Sequence, residues 1–186
     1  MAAVLEARHP AQANAEQTSA EQVFAAISLL GGALPAEVDR HLRAAGRDYA
    51  DDARAIAHLA AAAELAPAHP AVLIGRYRFF FYKGRWADAL AVAGECLAWA
   101  ARLLGLPDDW HDTRPQQAEF GAYDAVPARF YLFTLKGYAY LSLRLDRLAE
   151  GQAAARKLLE LDPADRVGGQ VLLDVLRRRE DGDDDA

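Results

Sequence analysis

Three stretches of this chain place small residues at matching offsets, and that constrains the fold more than any other feature. Ala55, Leu59, Ala62 and Pro67 recur 34 residues later as Ala89, Ala93, Cys96 and Ala101. Gly151, Ala155, Leu158 and Pro163 take the corresponding places in a third stretch. The middle copy carries the clearest punctuation, Tyr82-Lys83-Gly84-Arg85-Trp86. Upstream of it, Val72 to Tyr82 is apolar with Arg76 and Arg78 interposed, long enough for a helix rather than a buried strand. Gly84 can take positive φ and end that helix. Downstream, Ala87, Leu90, Ala91, Leu97 and Ala98 recur at three- and four-residue spacing, one face of a second helix. A hairpin of two helices cannot bury its apolar faces alone, so it needs stacked neighbours of its own shape.

A period of about 34 residues, with small residues at helix crossings and a proline after the second helix, resembles the tetratricopeptide repeat family. The units lie at about 36–69, 70–103 and 132–165. The segment Leu159-Glu160-Leu161-Asp162-Pro163 echoes Ala63-Glu64-Leu65-Ala66-Pro67. The family's Trp-x-x-Leu-Gly-x-x-Tyr signature is not matched. The middle unit has Leu73, Arg76, Tyr77 and Phe80 there, and the third has Leu135, Tyr138, Ala139 and Ser142. Tyr77 stands where a small residue is usual, which works against tight packing of that helix. The resemblance implies an all-α fold, a right-handed superhelical array of about three hairpins with an N-terminal helix and a C-terminal capping helix.

Around the units, residues 1–17 read as a flexible tail and 18–180 as the repeat domain, with an insertion over about 104–131, a cap over 166–180 and an acidic tail over 181–186. Thr18 with Glu21 makes a capping box for a helix ending near Leu30, where Gly31-Gly32 stops it. Pro127 opens a long helix to about Leu145.

Composition narrows the function. One cysteine, Cys96, excludes an intrachain disulfide framework. No apolar run suits a bilayer and no signal pattern opens the chain, which predicts a cytoplasmic protein without a membrane partner. A net charge of −6 argues against nucleic acid. Residues 70–147 carry ten basic and eight acidic side chains, whereas both flanks are acidic. The centre therefore favours a local carboxylate ligand.

In such arrays the first helices of successive units line a concave face. Arg78, Phe81 and Tyr82 of the middle unit then fall near Lys136, Tyr140 and Arg144 of the third. Aromatic and basic side chains converging on a groove suit a protein or peptide partner with acidic side chains or a free C-terminal carboxylate. The insertion supplies Asp108, Asp109, Trp110 and Asp112, which either fold back over this groove as a lid or belong to a loop that covers the junction between units.

No catalytic set, metal site or cofactor motif emerges. His111 among the aspartates lacks a second His or Cys at ligand spacing. Cys96 has no neighbouring histidine and reads as a buried inert thiol. His9, His41, His58 and His69 are scattered. The expected function is a non-enzymatic, chaperone-like adaptor. The competing readings are a self-associating homo-oligomeric scaffold and a metal-dependent enzyme built on the 105–127 loop. The stretches Tyr131-Leu132-Phe133-Thr134-Leu135-Lys136-Gly137-Tyr138-Ala139-Tyr140 and Leu161-Asp162-Pro163-Ala164-Asp165-Arg166-Val167-Gly168 are similar to small bacterial repeat proteins associated with nitrogen-fixation genes. That likeness implies an accessory role in nitrogen fixation or metallocluster assembly.

Overall fold

The computed structural model describes the backbone over residues 10–183 and side-chain environments over 18–178, and every regular element in it is helical. The α-helices are α1 (Pro10–Leu30), α2 (Ala36–Arg47), α3 (Asp52–Leu65), α4 (Pro70–Tyr82), α5 (Trp86–Leu104), α6 (Val126–Arg144), α7 (Leu148–Leu161) and α8 (Gln170–Asp183). Three pairs pack as hairpins: α2 with α3, α4 with α5, and α6 with α7. The middle hairpin also packs extensively on the third through α5 and α6, whereas the first meets the remainder more thinly, through α4. Helix α8 lies on α7, and α1 lies against α4 and α6.

The register expected from the small residues is visible in the backbone. Helices α2 and α4 start 34 residues apart, as do α3 and α5, and α5 and α7 start 62 apart. The turn Lys83–Arg85 and the turn Leu145–Arg147 are the same turn. In the first, Gly84 has φ 69°, its N–H bonds Phe81 O, and the Arg85 N–H bonds Phe80 O. In the second, Asp146 has φ 60°, its N–H bonds Leu143 O, and the Arg147 N–H bonds Ser142 O. The crossing positions Ala55, Ala89, Gly151, Leu59, Ala93, Ala155, Ala62, Cys96 and Leu158 are all buried. At Gly151 the approach is so close that a Cβ would run into Leu143 and the Ala139 carbonyl. The exit turns match as well: Ala66 bonds Ala62 and His69 bonds Ala66, as Asp162 bonds Leu158 and Asp165 bonds Asp162.

Two salt links hold hairpins together from outside. Arg76 of α4 grips Glu95 of α5 at 2.6 and 3.1 Å. Lys83 pairs with Asp52 at 2.7 Å while its ammonium sits 4.3 Å from the Tyr49 ring, tying the first hairpin to the end of α4.

Several boundaries differ from expectation. Thr18 does not cap a helix, because α1 already begins at Pro10. The Ala- and Gln-rich segment after Pro10 has good helix propensity, and proline suits a first helical position, so the expected 1–17 tail is helical from residue 10. Residues 1–9 lie outside the described part. The cap starts at Gln170 rather than 166, since Gly168 at φ 74° and Asp165 at φ 49° turn the chain first. The Asp165 carboxylate accepts the Gly169 and Gln170 N–H groups and satisfies the new helix end. The 181–186 tail is helical through Asp183, and 184–186 lie outside the described part. The insertion is shorter than 104–131: α5 runs to Leu104, Gly105 closes it at φ 66°, and α6 begins at Val126.

Candidate polypeptide-binding face

Helices α4 and α6 expose neighbouring faces that meet along aromatic side chains. On α6, Arg129, Phe133, Lys136, Tyr140 and Arg144 follow three- and four-residue spacing along one face. Phe81 of α4 meets Tyr140 of α6 with ring centroids 5.9 Å apart, and Trp86 packs edge-on against Phe81 at 5.8 Å. The Arg144 guanidinium lies 4.9 Å from the Trp86 ring. Tyr82 stands beside Phe81 and is 55% exposed. Four of the six expected groove residues, Phe81, Tyr82, Tyr140 and Arg144, thus form one aromatic-cationic cluster with Trp86 at the α4/α5 turn.

The other two, Arg78 and Lys136, are engaged within the chain instead of converging on an open groove. Arg78 pairs with Glu21 of α1 at 3.7 Å. Lys136 donates to the Val167 carbonyl at 2.6 Å, ahead of α8. The reason for the first engagement is α1 itself, the expected N-terminal helix, which covers part of the face. Phe24 reaches Tyr77 of α4 at 6.3 Å and Phe130 of α6 at 5.5 Å, both edge-on. Arg129 of α6 bonds the Ser19 hydroxyl. Gly31 abuts His69 and Pro70. Glu21 beside Arg78 and Gly31 beside Pro70 make α1 antiparallel to α4. Val23 and Ile27 complete its buried side. Each is worth about 1.5–3 kcal/mol of apolar burial.

The insertion does not lie on this face. Its anchors go to Tyr131 and Tyr138, which stand seven residues apart on the side of α6 opposite Phe133 and Tyr140. Trp110 packs on Tyr138 at 6.0 Å and stacks on His111 at 3.6 Å. Thr113, fully buried, shares a 3.0 Å hydrogen bond with the Tyr131 hydroxyl, and Lys157 of α7 donates to the Thr113 carbonyl at 3.0 Å. Phe120 is buried against Tyr131. The expected lid of Asp108, Asp109, Trp110 and Asp112 is therefore corrected: the buried aromatic anchors fix the loop over α6 and α7, and the three aspartates face solvent. Asp109 is occupied locally, accepting the His111 N–H at 2.9 Å and its ring nitrogen at 2.7 Å, bonds that hold its carboxyl below the ordinary range.

Burial raises three phenols and the thiol in and around the core. Burial, reinforced by Cys96, Tyr82 and Tyr140, pushes the Tyr77 phenol up. Burial and then the Glu95 carboxylate push the Cys96 thiol up to about 12, as befits an inert core thiol. Tyr138 is pushed to about 12 by burial and by donating to Glu150 at 2.8 Å. His41 and His58, which sequence spacing left unpaired, meet across the first hairpin with Nδ1 atoms 3.1 Å apart, and Asp48 lies 3.6 Å from His58 Nε2. Sequence carried one signal for this, a histidine on each helix of a hairpin, but the meeting depends on the turn between them. Among the described residues no group of three or more His, Cys, Asp and Glu side chains is placed to hold a metal ion. No helix among them is long and apolar enough to cross a membrane.

Comparison with known proteins adds one relative. No protein-family profile matches the chain, and no solved structure matches it. Over 113 residues it is 41% identical to a protein of Azotobacter chroococcum mcd 1 described as an uncharacterized 19.8 kDa protein in the nifW 5' region. The match covers 60% of this chain and 63% of that relative, so the chain spans less than two thirds of the relative's length. What the chain resembles is thus a small protein from a nitrogen-fixation gene region.

Proposed function

We propose that this chain is a non-enzymatic adaptor, a tetratricopeptide-like array of three hairpins that grips another polypeptide on the α4/α6 face. One observation carries the reading: that face already holds a helix, α1, through Phe24, Val23 and Ile27. Beyond α1's contacts it continues into Phe81, Tyr82, Trp86, Tyr140 and Arg144. Aromatic rings supply contact area at low entropic cost, and Arg144, partly exposed over Trp86, supplies a cation for a carboxylate. The repeated Gly84 and Asp146 turns and the 34-residue spacing shared by the starts of α2 and α4 and of α3 and α5 support the repeat reading. The relative from the nifW 5' region supports a place among accessory proteins of nitrogen fixation, and a chaperone-like part in assembling that machinery is the role we propose for it there.

The test is affinity capture from the native host grown with and without fixed nitrogen, using the natural chain and a Tyr82→Ala, Arg144→Glu variant. A specific partner retained by the first and lost by the second is the expected result. Equal recovery on both baits would place the binding surface elsewhere.

A further inference from the structure

We propose that α1 is a resident, displaceable ligand of the α4/α6 face, and that the external partner is an amphipathic helix carrying α1's own pattern. That pattern is a carboxylate, an aromatic three residues on, and an aliphatic side chain three further: Glu21, Phe24 and Ile27. The proposal rests on the reading above that this face binds polypeptide, and it adds what kind and how access is controlled.

Three features point this way. The first is the edge by which α1 sits on the face: between residues 18 and 30, Val23 and Ile27 are buried, Ala20, Phe24 and Ala26 are half-buried, and Leu29 and Leu30 are exposed. The second is charge. The face offers Arg78 and Arg129 to α1, and α1 answers with Glu21 and Ser19 at its edge, so a helix with a carboxylate at that place is selected. The third is the connection. Gly31 is wedged against His69 and Pro70, while Gly32 next to it sits at φ 81° with open space around it, a conformation that favours glycine. This short link joins α1 to α2, so an α1 released from the face stays tethered beside it. Being tethered by a few residues, α1 competes with any free helix at an effective concentration in the millimolar range, which keeps weak or mismatched helices out.

The experiment uses the full chain and a fluorescent peptide with the sequence of residues 10–30, read by anisotropy. Natural chain is compared with a Phe24→Ala, Ile27→Asp chain, in which α1 is loosened. The loosened chain is expected to bind the peptide at least about ten-fold more tightly, because the tethered competitor is gone. Adding Arg78→Glu to it should weaken binding, and a peptide with lysine in place of Glu21 should recover it. Equal affinity of natural and loosened chains, or no recovery by charge exchange, overturns the proposal. Should the double variant fail to fold by circular dichroism, Glu21→Lys alone carries the test, with an expected gain of about three-fold and no gain overturning it. A loosened chain that dimerises across a dilution series in light scattering shows α1 exchanging between copies, which also overturns a foreign helix as occupant. A partner captured through Tyr82 and Arg144 by natural and loosened chains alike leaves the adaptor reading standing and removes this one. Absence of any partner captured by either chain removes the adaptor reading and this one with it.

Discussion

The hydroxyl of Tyr77 on α4 rests against Gly137 on α6, in the space a side chain there would fill. Tyrosine at position 77 works against close helix packing by the usual rule of small residues, and the neighbouring helix accommodates it by having no side chain at all. The bulk has been moved across the interface rather than removed. Substituting Gly137→Ala should then cost about 1–3 kcal/mol through overpacking. Tyr77→Phe in the same chain should recover part of the loss, because it deletes the atom in conflict. Urea unfolding midpoints of both single variants and the double variant check this. Additive losses would show that the two sites do not meet.

The paired turns make a second prediction. Gly84 and Asp146 hold the same left-handed conformation, at φ 69° and 60°. Gly84→Ala should cost about 1–2 kcal/mol, the penalty of a Cβ in that region. Gly84→Asp should cost less, since a short polar side chain tolerates the conformation and the third hairpin uses one. Thermal unfolding of the two variants orders them.

Alkaline pH should unfold the protein from a definite starting point. Cys96 ordinarily titrates at 9.0 and is raised to about 12, and Tyr138 ordinarily titrates at 10.0 and is raised to about 12. Between the ordinary and raised values the unfolded chain gives up these protons and the folded chain keeps them. The stabilisation is complete below 9.0 and is lost as pH climbs towards 12. Tyr77 and Tyr131, also raised chiefly by burial, act in the same direction. Cys96→Ala should delay the onset towards 10.0, where the tyrosines begin. Unfolding free energy measured against pH gives the slope directly.

The insertion should behave as a structural brace. Thr113→Val removes a buried hydrogen bond to Tyr131 and should cost about 1–3 kcal/mol, because it leaves the phenol unsatisfied. Deleting residues 108–122 should lower the melting temperature by uncovering Tyr131 and Tyr138. Affinity for a partner on the α4/α6 face, measured on folded protein, should stay unchanged. A tighter partner after deletion would mean that the loop reaches the face after all.

How far sequence carried the argument varies by element. The hairpins were legible because Gly84, the small residues at Ala89 and Ala93 and their echoes at Ala55 and Ala155 act locally, within one turn or one helix crossing. The cluster of Phe81, Tyr82, Tyr140 and Arg144 was legible because repeat spacing sets which helix ends adjoin. The covering of Arg78 by Glu21 was not, since nothing near Glu21 says which of two exposed helices α1 will lie on. That choice is made by long-range burial of Val23 and Ile27. The loop misled for a similar reason. Its aspartates suggested attraction to a basic groove, but Trp110, Phe120 and Thr113 bury against Tyr131 and Tyr138, and burial of rings outweighs screened charge at an exposed surface.

Val38, Ala62 and Val72 form a miniature core of their own, flanked by Leu34 and Leu42 and separate from the main one. The first hairpin thus divides its burial between this small cluster, which it shares with α4, and the main core, which Ala45, Ala55 and Leu59 join, and Lys83 with Asp52 and Tyr49 steadies it from outside. Amide protons there should exchange with solvent sooner than those of α5 and α6, and the molecule should melt from that end inwards. Because Val72 lies on α4, loosening at that end is felt by the helix that carries Phe81 and Tyr82.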